Sequence, residues 1–439
     1  MRHFFQVHYL FFLLLSMVAC TADYEVQTAQ PLQGDIQDIE KQLQSQFILA
    51  NDGDTIDLPS GVFGFSKSIL LEGKSDILIR GAGMDQTILT FKDQEEGAEG
   101  IRVSNGNNIT LADFTIQDAK GDNIKTNDIN GISFINVKSE WTGEPNEKNG
   151  AYALYPVMCQ NVLIDGCVAI GASDAGIYVG QSTNVIVKNS EAYNNVAGIE
   201  IENTINADVF DNEAHDNTGG ILVFDLPGLS QLGRRTRVFD NKVYRNNYTN
   251  FAPEGNIVGA VPPGTGLMIL ASKDVEIFNN EITDNRTGSV ALISYLFVEA
   301  TSEPAAPEAE QDLSMAGNIA AYKADKDYDP FPSGVSIHDN VISNSYTLPT
   351  FENDIGYLLL FAFWMDKPEI LYDGITDPEL GDSPDMASIL CVQNNGNVGF
   401  ANLDAFNEFA NVSEDASIHD CSMQPLPKVD LNLNLLASE

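Results

Sequence analysis

The centre of the chain alternates apolar and polar residues in short runs that recur every 22 residues. Gly-Ile pairs at Gly176, Gly198 and Gly220 open the runs GIYV, GIEI and GILV, and the same interval separates Gly266 from Gly288. The alternation places successive side chains on opposite sides, as in a β-strand, and no helical period of about 3.6 is present. A fixed period of this length predicts a solenoid in which each repeat stacks on the next.

Equivalent positions in successive repeats carry similar residues, which predicts where each side chain points. The positions predicted to face the interior are Ala169, Ala192, Ala214, Ile177, Ile199 and Ile221. A small or polar residue precedes the glycine by about eight positions, as Ser190, Asn212 and Asn280 do. We expect asparagines at this turn to hydrogen-bond to one another from coil to coil, as they do in stacked β structures.

The repeats read NVLIDGCVAIGASDAGIYV, NVIVKNSEAYNNVAGIEI and ADVFDNEAHDNTGGILV. This pattern resembles the right-handed parallel β-helix of the pectate-lyase-like superfamily. The runs GASDAGIYVGQS and DYDPFPSGVSIHDN are also similar to a bacterial lipoprotein subgroup of such proteins. The resemblance implies an all-β fold. It leaves the function open, because the superfamily includes polysaccharide lyases, hydrolases, C5-epimerases and proteins that only bind.

We expect the chain to divide into four parts, the first of which rests on a resemblance described below. They are a lipoprotein signal peptide (1–19), a tether (20–34), the β-helix (35–346, with insertions near 141–150, 246–265 and 302–332) and a C-terminal capping region (347–439). Residues 35–49 carry apolar residues at helical spacing and predict a short helix that caps the first coil. We expect roughly ten coils and a rod about 50 Å long.

The N-terminal segment has the features of a processing signal. Arg2 precedes an apolar run over 9–18 that is too short to span a bilayer. The run ends in Met-Val-Ala-Cys, which resembles a bacterial lipobox, and the resemblance implies that Cys20 is lipidated. Thr21 follows instead of aspartate, which by the same resemblance favours the outer membrane. We therefore expect an envelope protein that meets the membrane only through its lipid, with ordinary secretion as the alternative.

The charge balance opposes several kinds of partner. The chain has 63 acidic and 23 basic residues, a net charge of −40. This charge argues against binding to nucleic acid or to an anionic membrane. It also opposes a polyanionic ligand, unless cations bridge the two or a local basic patch reverses the field.

Four cysteines follow Cys20. Cys391 and Cys421 lie 30 residues apart in the C-terminal region, and an oxidising envelope permits a disulfide between them. Cys167 takes the turn position of Ser190, where its simplest role is that of a small stacked residue. The sequence does not determine the disulfide state of Cys159 and Cys167.

The residues that alternate with the interior isoleucines are predicted to be exposed on one outer face. Adjacent coils lie about 4.8 Å apart, so polar groups of neighbouring coils converge there. The candidate catalytic residues are Glu200, Glu202 and Asp225, and the candidate substrate-binding residues are Asp174, Tyr178, Gln181 and Arg235. Paired carboxyl groups suit acid–base chemistry on a glycoside, and the three candidate catalytic residues also suit calcium, which prefers oxygen ligands. The alternative is a solvated acidic stripe.

Several functions stay open at this point. The Asp-Pro-His-Asp run of β-helix alginate epimerases and the paired-aspartate signature of the hydrolases are both missing. The leading hypothesis is an envelope lipoprotein that binds or processes a polysaccharide. The second is a non-catalytic envelope scaffold that docks a partner protein. Copper handling is a minor alternative, because copper prefers His, Met or Cys and only His215, His338 and His419 follow the signal.

Overall fold

The computed structural model describes residues 35–301, 325–381 and 384–433. The predicted signal peptide, Cys20 and the tether over 20–34 lie outside these ranges, as does most of the insertion predicted near 302–332. Within the described ranges, none of the helices has the length and apolar character needed to cross a bilayer.

The described part of the chain forms 29 strands. The first eight are β1 (Ile36–Asp38), β2 (Thr55–Asp57), β3 (Gly61–Gly64), β4 (Lys67–Glu72), β5 (Ser75–Arg80), β6 (Thr87–Thr90), β7 (Glu96–Gln117) and β8 (Ile124–Glu140). The next twelve are β9 (Tyr152–Val157), β10 (Gln160–Asp165), β11 (Val168–Ile170), β12 (Ala175–Gly180), β13 (Thr183–Lys188), β14 (Glu191–Tyr193), β15 (Ala197–Glu202), β16 (Ile205–Phe210), β17 (Glu213–His215), β18 (Gly219–Phe224), β19 (Arg234–Phe239) and β20 (Lys242–Tyr244). The last nine are β21 (Thr265–Leu270), β22 (Lys273–Phe278), β23 (Glu281–Thr283), β24 (Gly288–Ile293), β25 (Ser333–His338), β26 (Val341–Ser343), β27 (Ile370–Tyr372), β28 (Leu390–Gln393) and β29 (Phe400–Asn402).

The strands stack in parallel into three faces, and the long strands β7 and β8 bend through all three. Face 1 contains β4, β9, β12, β15, β18, β21, β24, β27 and β29 with the first parts of β7 and β8. Face 2 contains β2, β5, β10, β13, β16, β19, β22, β25 and β28 with their middle parts. Face 3 contains β1, β3, β6, β11, β14, β17, β20, β23 and β26 with their last parts. Each face is therefore about 50 Å long at one strand spacing per coil, and the predicted parallel β-helix is confirmed.

The interior of the coils holds the residues that the period predicts. Ile177, Ile199 and Ile221 are register partners on face 1, and each is fully buried. Ala192 lies next to Ala214 in the same way on face 3. Like residues therefore stack on like residues along the core, which keeps the packing of successive coils the same.

Asparagines form two ladders along the turns. The first connects Asn212, Asn241, Asn280, Asn340 and Asn395, and the second connects Asn195, Asn217, Asn246 and Asn285. In each step a side-chain amide donates to the amide oxygen of the next asparagine at 2.8–3.1 Å. The ladders satisfy buried polar groups that no solvent reaches, as the sequence predicted for Asn212 and Asn280.

Within the ranges that the structure describes, three α-helices accompany the coils: α1 (Glu40–Leu49), α2 (Tyr295–Thr301) and α3 (Asp354–Phe363). Short 3-10 helices span Ile257–Ala260, Pro378–Leu380, Met386–Ser388, Ala405–Asn407 and Ser417–His419. Helix α1 is shorter than predicted, because Ile36 to Asp38 form a strand of face 3 instead. Its Leu43 and Phe47 are buried in the core, and its capping role stays a prediction.

Four segments cover the outer side of face 1, and we call them the roof. They are residues 225–233, 246–264, 295–299 and 325–332. Their apolar residues, among them Val258, Val261 and Tyr328, form a second buried cluster with the outward side chains of face 1. Helix α3 extends the cover, since its Leu359 packs against Leu371 of β27. The helix therefore packs against the last coils of face 1, and the capping role predicted for the C-terminal region 347–439 stays a prediction.

The C-terminal segment 422–433, which we call the strap, lies across face 2. Three of its backbone N–H groups donate to side-chain oxygen atoms of this face. The pairs are Leu426 to Glu276 (3.0 Å), Val429 to Asp208 (3.1 Å) and Asn432 to Asn161 (3.2 Å). The strap begins after Cys421, whose sulfur is bonded to that of Cys391 on β28. Cys159 and Cys167 are free and buried, and burial raises the pKa of the two thiols to about 11 and about 12.

Candidate functional site

The carboxyl groups of interest project from the outer side of face 1. Tyr178 on β12 is the register partner of Glu200 on β15, and Gly180 is the partner of Glu202. On the next coil the equivalent positions are apolar, Leu222 and Phe224. The sequence therefore places two carboxyl groups where the neighbouring coil uses a hydrocarbon surface.

These side chains point away from the core, as the alternation predicts, but they are not exposed. The exposed fraction is 3% for Tyr178, 1% for Glu200 and 4% for Glu202. Asp174 and Asp225 are also buried, at 6% and 2%. The predicted solvent-exposed stripe is thus wrong, because the roof covers this face. The period of the coils contains no information about insertions that fold back over them.

Hydrogen bonds join the buried groups to one another and to the roof. The Tyr178 hydroxyl donates to Oε1 of Glu202 at 2.5 Å. Oδ2 of Asp174 accepts from the Tyr152 hydroxyl at 3.3 Å and from the Asn256 amide at 3.1 Å. Asn256 belongs to roof segment 246–264, so it connects this segment to the carboxyl groups.

Three tyrosine rings form one wall of the site. The centroids of Tyr152 and Tyr155 are 4.4 Å apart, those of Tyr152 and Tyr178 are 4.5 Å apart, and those of Tyr155 and Tyr178 are 5.0 Å apart. The Lys125 ammonium lies 4.6 Å from the centre of the Tyr155 ring. Such rings offer an apolar surface with polar hydroxyl tips, which suits a sugar ring.

Glu200 has an unsatisfied oxygen. Its Oε2 is buried and has no hydrogen-bond partner among the described residues. Burial, and then the charges of Asp174 and Glu202, raise the pKa of Glu200 well above its ordinary range. An orphan carboxyl oxygen in an enclosed site is costly, because the group loses its hydration without gaining a partner.

The pKa values of the neighbouring carboxyl groups rise for the same reason. Burial raises the pKa of Asp174 to about 7 and that of Glu202 to about 8, although the hydrogen bonds from Tyr152 and Tyr178 oppose the shift. Asp174, Glu200 and Glu202, which we call the carboxyl cluster, therefore all have raised pKa values, and those of Asp174 and Glu202 lie near neutral pH. Groups with such values exchange protons readily near pH 7, as acid–base catalysts do.

Besides Tyr178, which hydrogen-bonds to Glu202, three of the predicted site residues lie outside the carboxyl cluster. Asp225 accepts from the backbone N–H of Gly233 at 2.7 Å and holds its own turn, and burial raises its pKa to about 7. Oε1 of Gln181 accepts from the backbone and hydroxyl of Ser230 at 3.1 and 2.8 Å. Arg235 is on β19 of face 2, whereas the carboxyl cluster is on face 1.

The metal hypotheses gain no support from the geometry. In the described part of the chain, no group of three or more His, Cys, Asp or Glu is arranged to hold a metal ion. Glu200, Glu202 and Asp225 are therefore not gathered as a calcium site in this structure, and calcium binding stays a prediction. His215 contacts Glu191 and Asp216, His338 contacts Glu276 and Asp339, and His419 contacts the Leu390 carbonyl.

Sequence reasoning missed Tyr152, Tyr155 and Asn256. Tyr152 and Ala175 are register partners 23 residues apart, and the same spacing separates Tyr155 from Tyr178. Extending the period backwards by one coil would have found both tyrosines. Asn256 lies in a roof segment without periodic pattern, and no sequence signal identifies it.

Solved structures of low sequence identity resemble this chain. The A-module of mannuronan C-5 epimerase AlgE4 from Azotobacter vinelandii is 15% identical, covers 83% of this chain and 92% of its own, and gives a TM-score of 0.49. Pectate lyase Pel9A is 13% identical, covers 57% and 70%, and gives 0.38. The N-terminal fragment of gene product 12 of bacteriophage Phi29 is 14% identical, covers 87% and 71%, and gives 0.42. These values are too low to support an argument about function.

A comparison with sequence families is more direct. No curated protein sequence matches the chain. The family model described as a right-handed β-helix region matches residues 65–228 and 99–305, which together make up more than half of the 439 residues. The stacking of the three faces agrees with this match. The chain therefore belongs to the family of proteins with a right-handed β-helix region.

Proposed function

We propose that the protein binds a polysaccharide on the outer side of face 1 and acts on it through the carboxyl cluster. The observation that supports this most strongly is Glu200, a buried carboxyl group with an orphan oxygen between Asp174 and Glu202. A face that served only for packing would gain stability from an apolar residue here, as in the next coil. Retention of a destabilising polar group is typical of a functional site.

The site is closed in the structure, so a ligand must displace part of the roof. Segment 246–264 is the best candidate, because its Asn256 caps Asp174 while its Val258 and Val261 pack on the neighbouring coils. When this segment moves, the Asn256 amide leaves Asp174 and the tyrosine wall becomes accessible. Such closure over a bound substrate excludes water and strengthens each polar contact.

The carboxyl groups suit a glycosidic bond. Burial raises the pKa of Glu200 well above its ordinary range, so its protonated form can donate a proton to a leaving-group oxygen, while Glu202 or Asp174 in its ionised form can accept one. Tyr178 orients Glu202 through its 2.5 Å hydrogen bond. The same groups also bind sugar hydroxyls without chemistry, and the products distinguish the two cases.

The experiment incubates the protein with a panel of purified polysaccharides and measures retention and new chain ends. We expect retention of one glycan class by the wild-type protein and at least tenfold weaker retention by Glu200→Gln. The matched control is Glu281→Gln, which removes an exposed carboxyl group on face 3. New reducing or unsaturated ends indicate an enzyme, and retention without products indicates a binding protein. Equal retention and equal products for the wild-type protein and both variants would show that the site lies elsewhere.

A non-catalytic scaffold is the second candidate. The observation that favours it is the closed roof, because a glycan cannot reach a face that is permanently covered. Retention of no glycan in the panel, together with unchanged behaviour of Glu200→Gln, would support the scaffold and contradict the polysaccharide proposal.

We also propose that Cys20 anchors the protein to the cell envelope through a lipid, in the outer membrane. The support is the lipobox-like run Met-Val-Ala-Cys. The Cys20→Ser variant should appear in the soluble fraction after cell disruption, while the wild-type protein stays with the membranes. Cys159→Ser is the matched control, and membrane retention of both variants would reject the anchor.

A further inference from the structure

We infer that the ligand of face 1 is an uncharged saccharide and not a polyuronate. This inference rests on the proposed function, because it names the class of saccharide that the same site takes. The carboxyl cluster supplies negative charge or neutral acid groups, and it offers no positive charge to a carboxylate on a ligand.

The distribution of cations supports the inference. Among the described residues, no lysine or arginine forms an ion pair with Asp174, Glu200 or Glu202. Lys125 is the cation beside the tyrosine wall, and it is already engaged by the Tyr155 ring at 4.6 Å and by Asp122 at 4.0 Å. Asp122 thus adds a further carboxyl group at this edge. A uronate would enter a site in which the unpaired ionisable groups of the described residues carry, when charged, the same negative sign as the uronate.

The available groups match sugar hydroxyls instead. A carboxyl group accepts and, when protonated, donates hydrogen bonds, and a hydroxyl group does the same. Oε2 of Glu200 and Oδ1 of Asn256 are both buried without partners in the described structure. Oδ1 of Asn256 requires a donor, and Oε2 of Glu200 requires a donor when it is ionised or an acceptor when it is protonated. A sugar hydroxyl group can serve as either, whereas an ionised uronate group can only accept. The three tyrosine rings supply the apolar surface on which a pyranose face packs.

The acidic cluster alone would not identify a ligand site. Glu200 provides the second observation, since it is 99% buried, unpartnered at one oxygen and directed into the cluster from which the roof excludes solvent. Its equivalent in the next coil, Leu222, shows that packing does not require the carboxyl group.

The test compares charged with uncharged polymers. Polygalacturonate and its fully methyl-esterified form have the same backbone, and esterification removes the negative charge. Neutral β-glucan, mannan, xylan and fructan complete the panel, and alginate adds a second polyuronate. Each polymer is tested by affinity electrophoresis with the intact protein, once with a chelator and once with calcium.

We expect a neutral polymer or the esterified polymer to retain the protein. The polyuronates should retain it at least about tenfold more weakly. The Asp174→Asn/Glu200→Gln double variant keeps the shape of the site and removes two carboxyl groups. It should therefore show a smaller difference in retention between polygalacturonate and its esterified form. Retention of polyuronate as strong as that of the neutral form, with or without calcium, would overturn the inference and leave the proposed function intact. Retention of no polymer would overturn the proposed function, and the inference with it.

Discussion

At the scale of single residues, the side chains of Glu200 and Glu202 both point away from the core and are both buried, but their hydrogen-bond partners differ. Glu202 accepts a hydrogen bond from Tyr178, whereas Oε2 of Glu200 has no partner in the described residues. Removing a carboxyl group should therefore have opposite effects at the two positions, because only one removal leaves a buried partner unsatisfied.

We expect Glu200→Leu to raise the free energy of unfolding by about 1–3 kcal/mol, since it replaces a desolvated acid by the residue type of the next coil. Glu202→Leu should lower it by about 1–3 kcal/mol, because the buried Tyr178 hydroxyl loses its acceptor. Urea denaturation at neutral pH measures both, provided that the slope of the transition is unchanged. Equal destabilisation by both variants would show that Glu200 has a structural partner.

The pH dependence of stability follows from the same burial. Burial raises the pKa of Asp174 to about 7 and that of Glu202 to about 8, against about 4 in an unfolded chain. The folded state therefore binds more protons between these values. The contribution of these two protonated groups to the stability of the folded state is complete below about pH 4 and is lost as the pH rises through 7 to 8.

We expect the melting temperature to fall from pH 5 to pH 8, and the fall to be smaller in the Asp174→Asn/Glu202→Gln double variant. His215 adds a loss of its own above about pH 6.5. Burial lowers its pKa, but hydrogen bonds to Asp216 and Glu191 outweigh burial and raise it to about 9. Both proteins share that loss, so the difference between their slopes isolates the carboxyl groups. Identical slopes would contradict protonation of the cluster.

The direction of each side chain was predictable at this scale, but its exposure was not. Ile199 and Glu200 point to opposite sides because strand neighbours alternate, and a sequence shows this directly. Whether an outward residue meets water depends on segments far away in sequence, such as Asn256. Their placement follows from tertiary packing and has no periodic signature.

At the scale of elements, the asparagine ladder is the feature that most clearly connects the repeat to its stability. Asn241 makes four side-chain hydrogen bonds: to the N–H and amide of Asn212, the carbonyl of Val209 and the amide oxygen of Asn280. All are buried, so each group left without its partner costs free energy. The ladder could be predicted from Asn212 and Asn280, because a fixed period brings equal positions together.

We expect Asn241→Ala to lower the free energy of unfolding by about 3 kcal/mol or more. The control is Asn107→Ala, which removes one long hydrogen bond of 3.5 Å to Ser75 at an exposed position and should change the free energy by less than about 0.5 kcal/mol. Chemical denaturation of the two variants against the wild-type protein measures the difference. A loss at Asn241 no larger than that at Asn107 would mean that solvent replaces the ladder.

At the scale of the whole molecule, the solenoid and its coverings differ in what the sequence reveals. The coils over 176–294 follow from the spacing of glycines, and the family match covers the same region. The roof and the strap are irregular, so only their existence as insertions or as a tail could be predicted. The strap matters because it joins coils that are not neighbours, whereas a plain solenoid has contacts only between adjacent repeats.

The strap contacts predict a specific effect of removing one N–H group. Val429 donates to Oδ2 of Asp208, and Asp208 also pairs with Arg237 inside face 2. Proline at 429 keeps an extended backbone and removes the donor. We expect Val429→Pro to lower the free energy of unfolding by about 1–2 kcal/mol, because a buried carboxylate loses a charge-assisted hydrogen bond.

Asp430→Pro is the matched control, since the residue is exposed and no hydrogen bond from its N–H occurs in the described structure. The melting temperature should be lowered by Val429→Pro and unchanged by Asp430→Pro. A chain that ends at Cys421 should lose at least as much stability as the Val429→Pro variant. The reason is that the shorter chain lacks all three strap contacts, which bind coils from β10 to β22. If the shorter chain unfolds like the full one, the strap only rests on face 2, and the coils are held by their neighbours alone.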